Sequence, residues 1–132
     1  MIQTIEVRTT SKTELLDITH AVEGAIRKVG VEEGVCFLFV PHTTAAITVN
    51  EHADPSVAAD ILSELEKIVP AQGRYRHLEG NAPAHVKASL IGPSETVLIR
   101  DKRLLLGTWQ GVFFCEFDGP RRRQVHIQIV GT

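Results

Sequence analysis

The chain reads as an α+β domain, a mostly antiparallel β-sandwich with two or three helices. Three observations give this reading. Strand-like runs follow one another directly, especially in the last third of the chain. The helical runs stand apart from them and do not alternate with strands. No glycine-rich phosphate loop follows a strand, which argues against a doubly wound nucleotide fold. At 132 residues the chain suits one domain, residues 1–132, with a single substantial core.

From the start, Ile2, Thr4, Glu6 and Arg8 alternate with Gln3, Ile5, Val7 and Thr9, the period of a strand. Leu15, Ile18, Val22, Ile26 and Val29 recur at helical spacing, and Gly30 follows as a stop. Val31 to Gly34 make a turn. Val35 to Val40 is apolar on both faces and predicts a central strand. Thr44 to Val49 is rich in β-branched residues and predicts the next strand. Asp54-Pro55 opens a helix, because Asp can accept from free N–H groups and Pro suits the first helical position. Val57, Ile61, Leu65 and Ile68 form its apolar stripe, and Pro70 ends it. Gln72 to Pro83 reads as an ordered loop, and Ala84 to Leu90 as a short helix opened by Pro83 and broken at Gly92-Pro93. The spacing then predicts strands at Thr96 to Arg100, Leu104 to Leu106, Thr108 to Phe117 and Arg123 to Val130. No internal repeat is visible.

Composition excludes several classes. Hydrophobic residues are 43% and charged residues 23%, ordinary for a globular domain. A net charge of −2 offers no footprint for nucleic acid. The single basic run, Arg121 to Arg123, is enough for one phosphate group rather than a polyanion. Cys36 and Cys115 lie inside apolar runs and read as small buried hydrophobes. MIQTIEVRTT alternates and lacks a signal peptide's apolar core, and no apolar run reaches membrane-spanning length, so a cytoplasmic protein without a membrane partner is expected.

The chemistry-bearing groups sit at the ends of buried strands. His42 follows the apolar run and can be either a strand-end histidine bonded to backbone or a site residue. His77 and His85 bracket HLEGNAPAH. Three neutral imidazoles, His42, His77 and His85, would suit zinc with an open fourth position. Asp54 reads first as a helix cap. Glu51 shares a strand face with Ile47 and Val49, and Glu116 shares one with Val112 and Phe114. A carboxylate there must be paired, protonated or bound to a cation. Trp109 and Gln110 stand between Gly107 and Gly111, where glycine marks a bulge or a close backbone approach. Trp109 reads as core or as a pocket wall. Gln124, His126 and Gln128 share the polar face of the last strand, opposite Val125, Ile127 and Ile129.

Three blocks in one order, HTTAAITVNEHADP, RYRHLEGNAPAHVKASLIG and GTWQGVFFCEFDGPRRR, resemble the YjbQ family over nearly the whole chain. The resemblance implies a β-rich sandwich with helices, a homotrimer, and a cleft lined by the three blocks. It also implies thiamine-phosphate synthase activity as a secondary activity. That reaction joins a pyrimidine pyrophosphate to a thiazole phosphate and releases pyrophosphate. His42, Thr43, Asn50, Glu51, Asp54, His77, Glu79, Gly80, Asn81, His85, Lys87, Trp109, Gln110, Gly111, Glu116 and Arg121 match the family pattern, and His52 departs from it.

Carried over, the resemblance makes His42, Glu51, His85 and Glu116 catalytic candidates. Thr43, Asn50, Asp54, Asn81, Lys87, Trp109, Gln110 and Arg121 become candidate substrate ligands. A divalent metal, zinc or magnesium, would be the cofactor, with no nucleotide cofactor. The partner would be a small phosphorylated substrate. Two rivals stay open: a zinc-dependent hydrolase or lyase built on the three histidines, and a non-catalytic trimer that binds a phosphorylated small molecule.

Overall fold

The computed structural model describes all 132 residues. Eight strands form two antiparallel sheets. The larger contains β1 (Ile2–Arg8), β8 (Arg122–Gly131), β3 (Gly34–Phe39), β5 (Ser94–Arg100) and β6 (Arg103–Leu104), in that spatial order. The smaller contains β2 (Glu14–Asp17), β7 (Gln110–Glu116) and β4 (Ala45–Glu51). The helices are α1 (Thr19–Val29), α2 (Pro55–Ile68) and α3 (Ala82–Ile91). The expected α+β fold with antiparallel sheets is present.

The alternation read from the sequence explains the layers. Cys36 and Leu38 of β3, Val125 and Ile127 of β8, and Val97 and Ile99 of β5 point inward from the large sheet. They meet Ile47, Val112 and Phe114 of the small sheet, with Val22 and Ile26 of α1 closing one side. The other face of the small sheet, Ala46, Cys115 and the following Phe117, packs on Leu65 of α2 and on Ala84 and Ala88 of α3. Each large apolar side chain buried in this way contributes about 1.5–3 kcal/mol. Both cysteines are buried and unpaired, and burial pushes their thiols up to about 11 at Cys36 and about 12 at Cys115. No helix is long and apolar enough to cross a membrane.

The first helix departs from the expectation. Leu15 lies on β2, not on a helix, and Glu14 to Asp17 pair with Glu116 to Phe113 of β7. Leu15 faces the helical layer while Leu16 faces the sheet interior. The Asp17 carboxylate then accepts from the Thr19 N–H at 2.9 Å and from its hydroxyl at 2.6 Å, turning the chain into α1. β3 is central as expected, but its outer face is uncovered. Phe37 is 46% and Phe39 48% exposed, because nothing in the protomer packs on that side of the large sheet.

Candidate functional site

The end of β3 and the start of β4 place the His42-Thr43 pair beside α3. Together with His85 and Ser89 of that helix and Pro93, they line a groove of about 300 Å³. Two of the three sequence blocks thus meet. The His42 ring is anchored: its Nε2 accepts from the Gln124 N–H at 2.9 Å. Burial first, then the Arg123 guanidinium and the His126 ring, lower the His42 pKa below its ordinary value, against the pull of the Glu116 carboxylate. An N–H donor at Nε2 requires an unprotonated nitrogen there, so the neutral ring carries its proton on Nδ1. His85 also reaches the neighbouring depression lined by Tyr75, Arg76 and His77. The His77 and His85 rings meet edge to face, 5.1 Å between centroids.

Glu116 does not reach this groove. It is fully buried between the sheets, where Arg123 of β8 pairs with both carboxylate oxygens and also donates to the Thr44 hydroxyl at 2.8 Å. The Thr9 hydroxyl and the Asp118 N–H donate to the same carboxylate. Burial would raise the Glu116 pKa, but the Arg123, Asp118 and Thr9 bonds outweigh it and hold the carboxyl below its usual range. The expectation of a paired carboxylate is met, with the pairing cation drawn from the basic run. Glu116, a catalytic candidate in the sequence, has no exposed surface in the protomer and four donors on its carboxylate, an arrangement that braces the two sheets.

The other side of α3 carries a second group of candidates. Asn81 and Lys87 line a cavity of about 350 Å³ with Lys12, Glu66 and Phe117. The Lys87 ammonium is buried, pairs with Glu66 and lies 5.9 Å from the Phe117 ring centroid. The Asn81 amide donates to Asp118 at 2.9 Å, while its buried Oδ1 has no partner. That acceptor is sealed from the cavity as well as unpartnered, a local cost to the fold rather than a ligand contact. Arg121 is exposed and binds Asp118, through Nε to the carbonyl and through a terminal nitrogen to the carboxylate.

Glu51, Asn50, Trp109 and Gln110 do not join either cavity beside α3. Glu51 pairs in register with Gln110, and Asn50 with Gly111, at the far end of β4. That strand has seven residues, which puts its ends about 20 Å apart. Trp109 is 62% exposed and is not core. Asp54 is the N-cap of α2, accepting from the Ser56 N–H at 2.9 Å, the structural role the sequence favoured.

The protomer by itself does not assemble the three histidines. No group of three or more His, Cys, Asp or Glu side chains in the protomer is arranged to hold a metal ion. His77 and His85 touch, and His42 and His85 share a groove, but the three do not converge. One pair escaped the sequence reading. His52 Nδ1 lies 2.9 Å from the Asp17 carboxylate, although 35 residues separate them. Gly111 was the available signal, since a Cβ there would collide with the His52 ring.

The family model for the UPF0047 protein YjbQ-like family matches residues 3–132. A UPF0047 protein of Methanocaldococcus jannaschii is 50% identical over 126 residues, covering 96% of this chain and 91% of its own. The YugU protein of Bacillus subtilis is 45% identical, covering 99% of this chain and 100% of its own. A solved YjbQ/UPF0047 structure from Clostridium acetobutylicum superposes with a TM-score of 0.95 at 48% identity, over 97% of this chain and 99% of that one. Another, from Sulfolobus solfataricus, gives 0.94 at 36% identity, over 100% and 97%. Likeness of this extent, spanning all three sequence blocks and both sheets, means that the chain belongs to the YjbQ/UPF0047 family.

Proposed function

We propose that the chain is an enzyme acting on small phosphorylated molecules, with thiamine-phosphate synthase activity as a secondary activity. In that reaction the bond from the pyrimidine methylene carbon to pyrophosphate oxygen breaks, and its electrons leave with pyrophosphate. The thiazole nitrogen forms the new bond to the same carbon. The observation that carries the reading is the groove in which His42 and His85, from distant blocks, face one space with Thr43 and Ser89. His42 in its Nδ1–H form serves as a fixed donor to a developing oxyanion. His85 serves as the proton carrier, and the Thr43 hydroxyl orients a phosphate oxygen. Lys12 and Lys87 lie in the separate cavity on the other side of α3 and lend only long-range positive charge to the groove, reduced at Lys87 by its Glu66 partner.

The same proposal includes assembly as a homotrimer in the cytoplasm. Its support is the outer face of the large sheet, where Phe37, Phe39, Leu98, Val130 and Ile2 are exposed together.

The test is incubation of the purified protein with both thiamine precursors and chromatographic detection of thiamine phosphate. His42→Ala and His85→Gln are each expected to reduce turnover about a hundredfold. Unchanged turnover in both variants would remove the groove from the chemistry. Precursor binding without product would leave a ligand-binding protein in place of an enzyme.

A further inference from the structure

A different cavity lies at the opposite end of β4 from His42, beyond the reach of the groove beside α3. His52 follows β4, Gly111 is on β7 and Asp17 ends β2, so the His52 ring crosses the middle strand of the small sheet to reach Asp17 on the far one. Only a residue without a side chain at position 111 leaves room for that crossing. The Asp17 carboxylate is itself held by the Thr19 N–H and hydroxyl. Burial opposes ionisation, yet the Thr19 and His52 bonds hold Asp17 below the usual carboxylate range. An ionised Asp17 only accepts, so Nδ1 of His52 carries a proton and Nε2 is left without a protein partner.

His52 lines a cavity of about 310 Å³ with Arg100, Arg103, Asp101, Thr108 and Gln110. Arg100 and Arg103 are register partners across the β5–β6 turn, so both guanidinium groups leave the same hairpin end. Arg100 has no carboxylate within ion-pair distance, whereas Arg103 Nε approaches Glu23 at 3.5 Å. Glu23 is buried and already accepts from the Leu104 N–H at 3.0 Å. The Gln110 carbonyl oxygen is taken by the Gly107 N–H at 2.8 Å, so its amide NH₂ is the free end. The resulting space offers two guanidinium forks, an amide donor, a hydroxyl and one imidazole nitrogen. Its size is at the lower end of small-molecule pockets.

We propose that this cavity is a second ligand site, one that takes a phosphate monoester. Arg100 and Arg103 bind its oxygens, Gln110 and Thr108 supply further hydrogen bonds, and His52 Nε2 meets the ionisable phosphate hydroxyl. Three or four non-bridging contacts suit a tetrahedral phosphate better than a planar carboxylate. Asp101 is the one lining carboxylate with no ion-pair partner, and it weakens the site.

The full-length protein is titrated with inorganic phosphate at constant ionic strength, following the His52 ring and the Gly107 to Gln110 amides by NMR. Acetate is titrated in parallel. Phosphate is expected to give saturable shifts that acetate does not. Arg100→Gln weakens binding about tenfold, and Asp101→Asn tightens it a few-fold. Both residues are exposed, so the variants keep the fold, which the same spectra verify. Non-saturating shifts, equal shifts with acetate, or an unaltered titration in Arg100→Gln would each overturn the proposal. The site is independent of the His42 groove: Arg100→Gln leaves thiamine phosphate formation unchanged, and His42→Ala leaves the phosphate titration unchanged.

Discussion

Glu116 and Arg123 face each other between the sheets, out of contact with water. Taking one partner away strands the other as a buried charge. Glu116→Gln is therefore expected to cost about 3–5 kcal/mol in urea unfolding, while Glu116→Leu with Arg123→Met recovers most of that loss. The Glu116 pKa is depressed on folding, so its contribution is present above the unfolded value of about 4.3 and is lost as pH falls through the folded value. His42 works in a neighbouring pH window. Its folded pKa is also lowered, so the unfolded chain binds more protons between that value and about 6.5. Stability rises with pH through the window. A His42→Gln variant should flatten that slope, measured as urea midpoints at successive pH values. The sequence announced that Glu116 needed a partner. It could not name Arg123, because three adjacent arginines alternate faces and only the pairing of β8 with β1, which sets Arg123 opposite the buried Val7, turns the third inward.

At the scale of elements, α3 and β4 sort the candidates. On α3, His85 opens to one cavity and Lys87 to another, as a separation of two helical residues dictates. His42 and Thr43 stand just before β4, and Asn50 and Glu51 close it. The proximity of these residues in the sequence block HTTAAITVNEHADP conceals an extended strand between them. Gly111 on β7 is required for the His52 ring to cross to Asp17. Gly111→Ala should displace that ring, abolish the Nδ1–H signal bonded to Asp17 in NMR spectra, and cost about 1–3 kcal/mol. The misread start of α1 has a plain cause. Leu15 and Ile18 stand at helical spacing from Val22, yet Leu15 and Leu16 alternate between two apolar layers, a tertiary fact that periodicity cannot supply.

Across the whole molecule, two sheets and one helical layer leave one large face without cover. Phe37, Phe39 and Leu98 project from it beside Val130. The trimer proposal assigns this apolar face to contact between subunits. Under the trimer proposal, Phe37→Lys combined with Leu98→Lys should yield a folded monomer by size-exclusion chromatography with light scattering. An unchanged mass would place the contact between subunits elsewhere. The expectation that β3 is central was correct for its hydrogen bonding between β8 and β5, while its second face has no cover within the protomer.

The sequence by itself determined the α+β class, the positions of most strands, the cap at Asp54, the need to neutralise Glu116, and the family. These follow from local periodicity, from the cost of burying charge, and from ordered blocks of residue types. Tertiary structure decided which distant groups meet: His42 with His85, Glu116 with Arg123, and His52 with Asp17. Within the protomer it also keeps the three histidines from converging on one point. The reason is geometric. Strand pairing and layer packing join residues tens of positions apart, and a chain's order specifies those distances only after the sheets have closed on a common core.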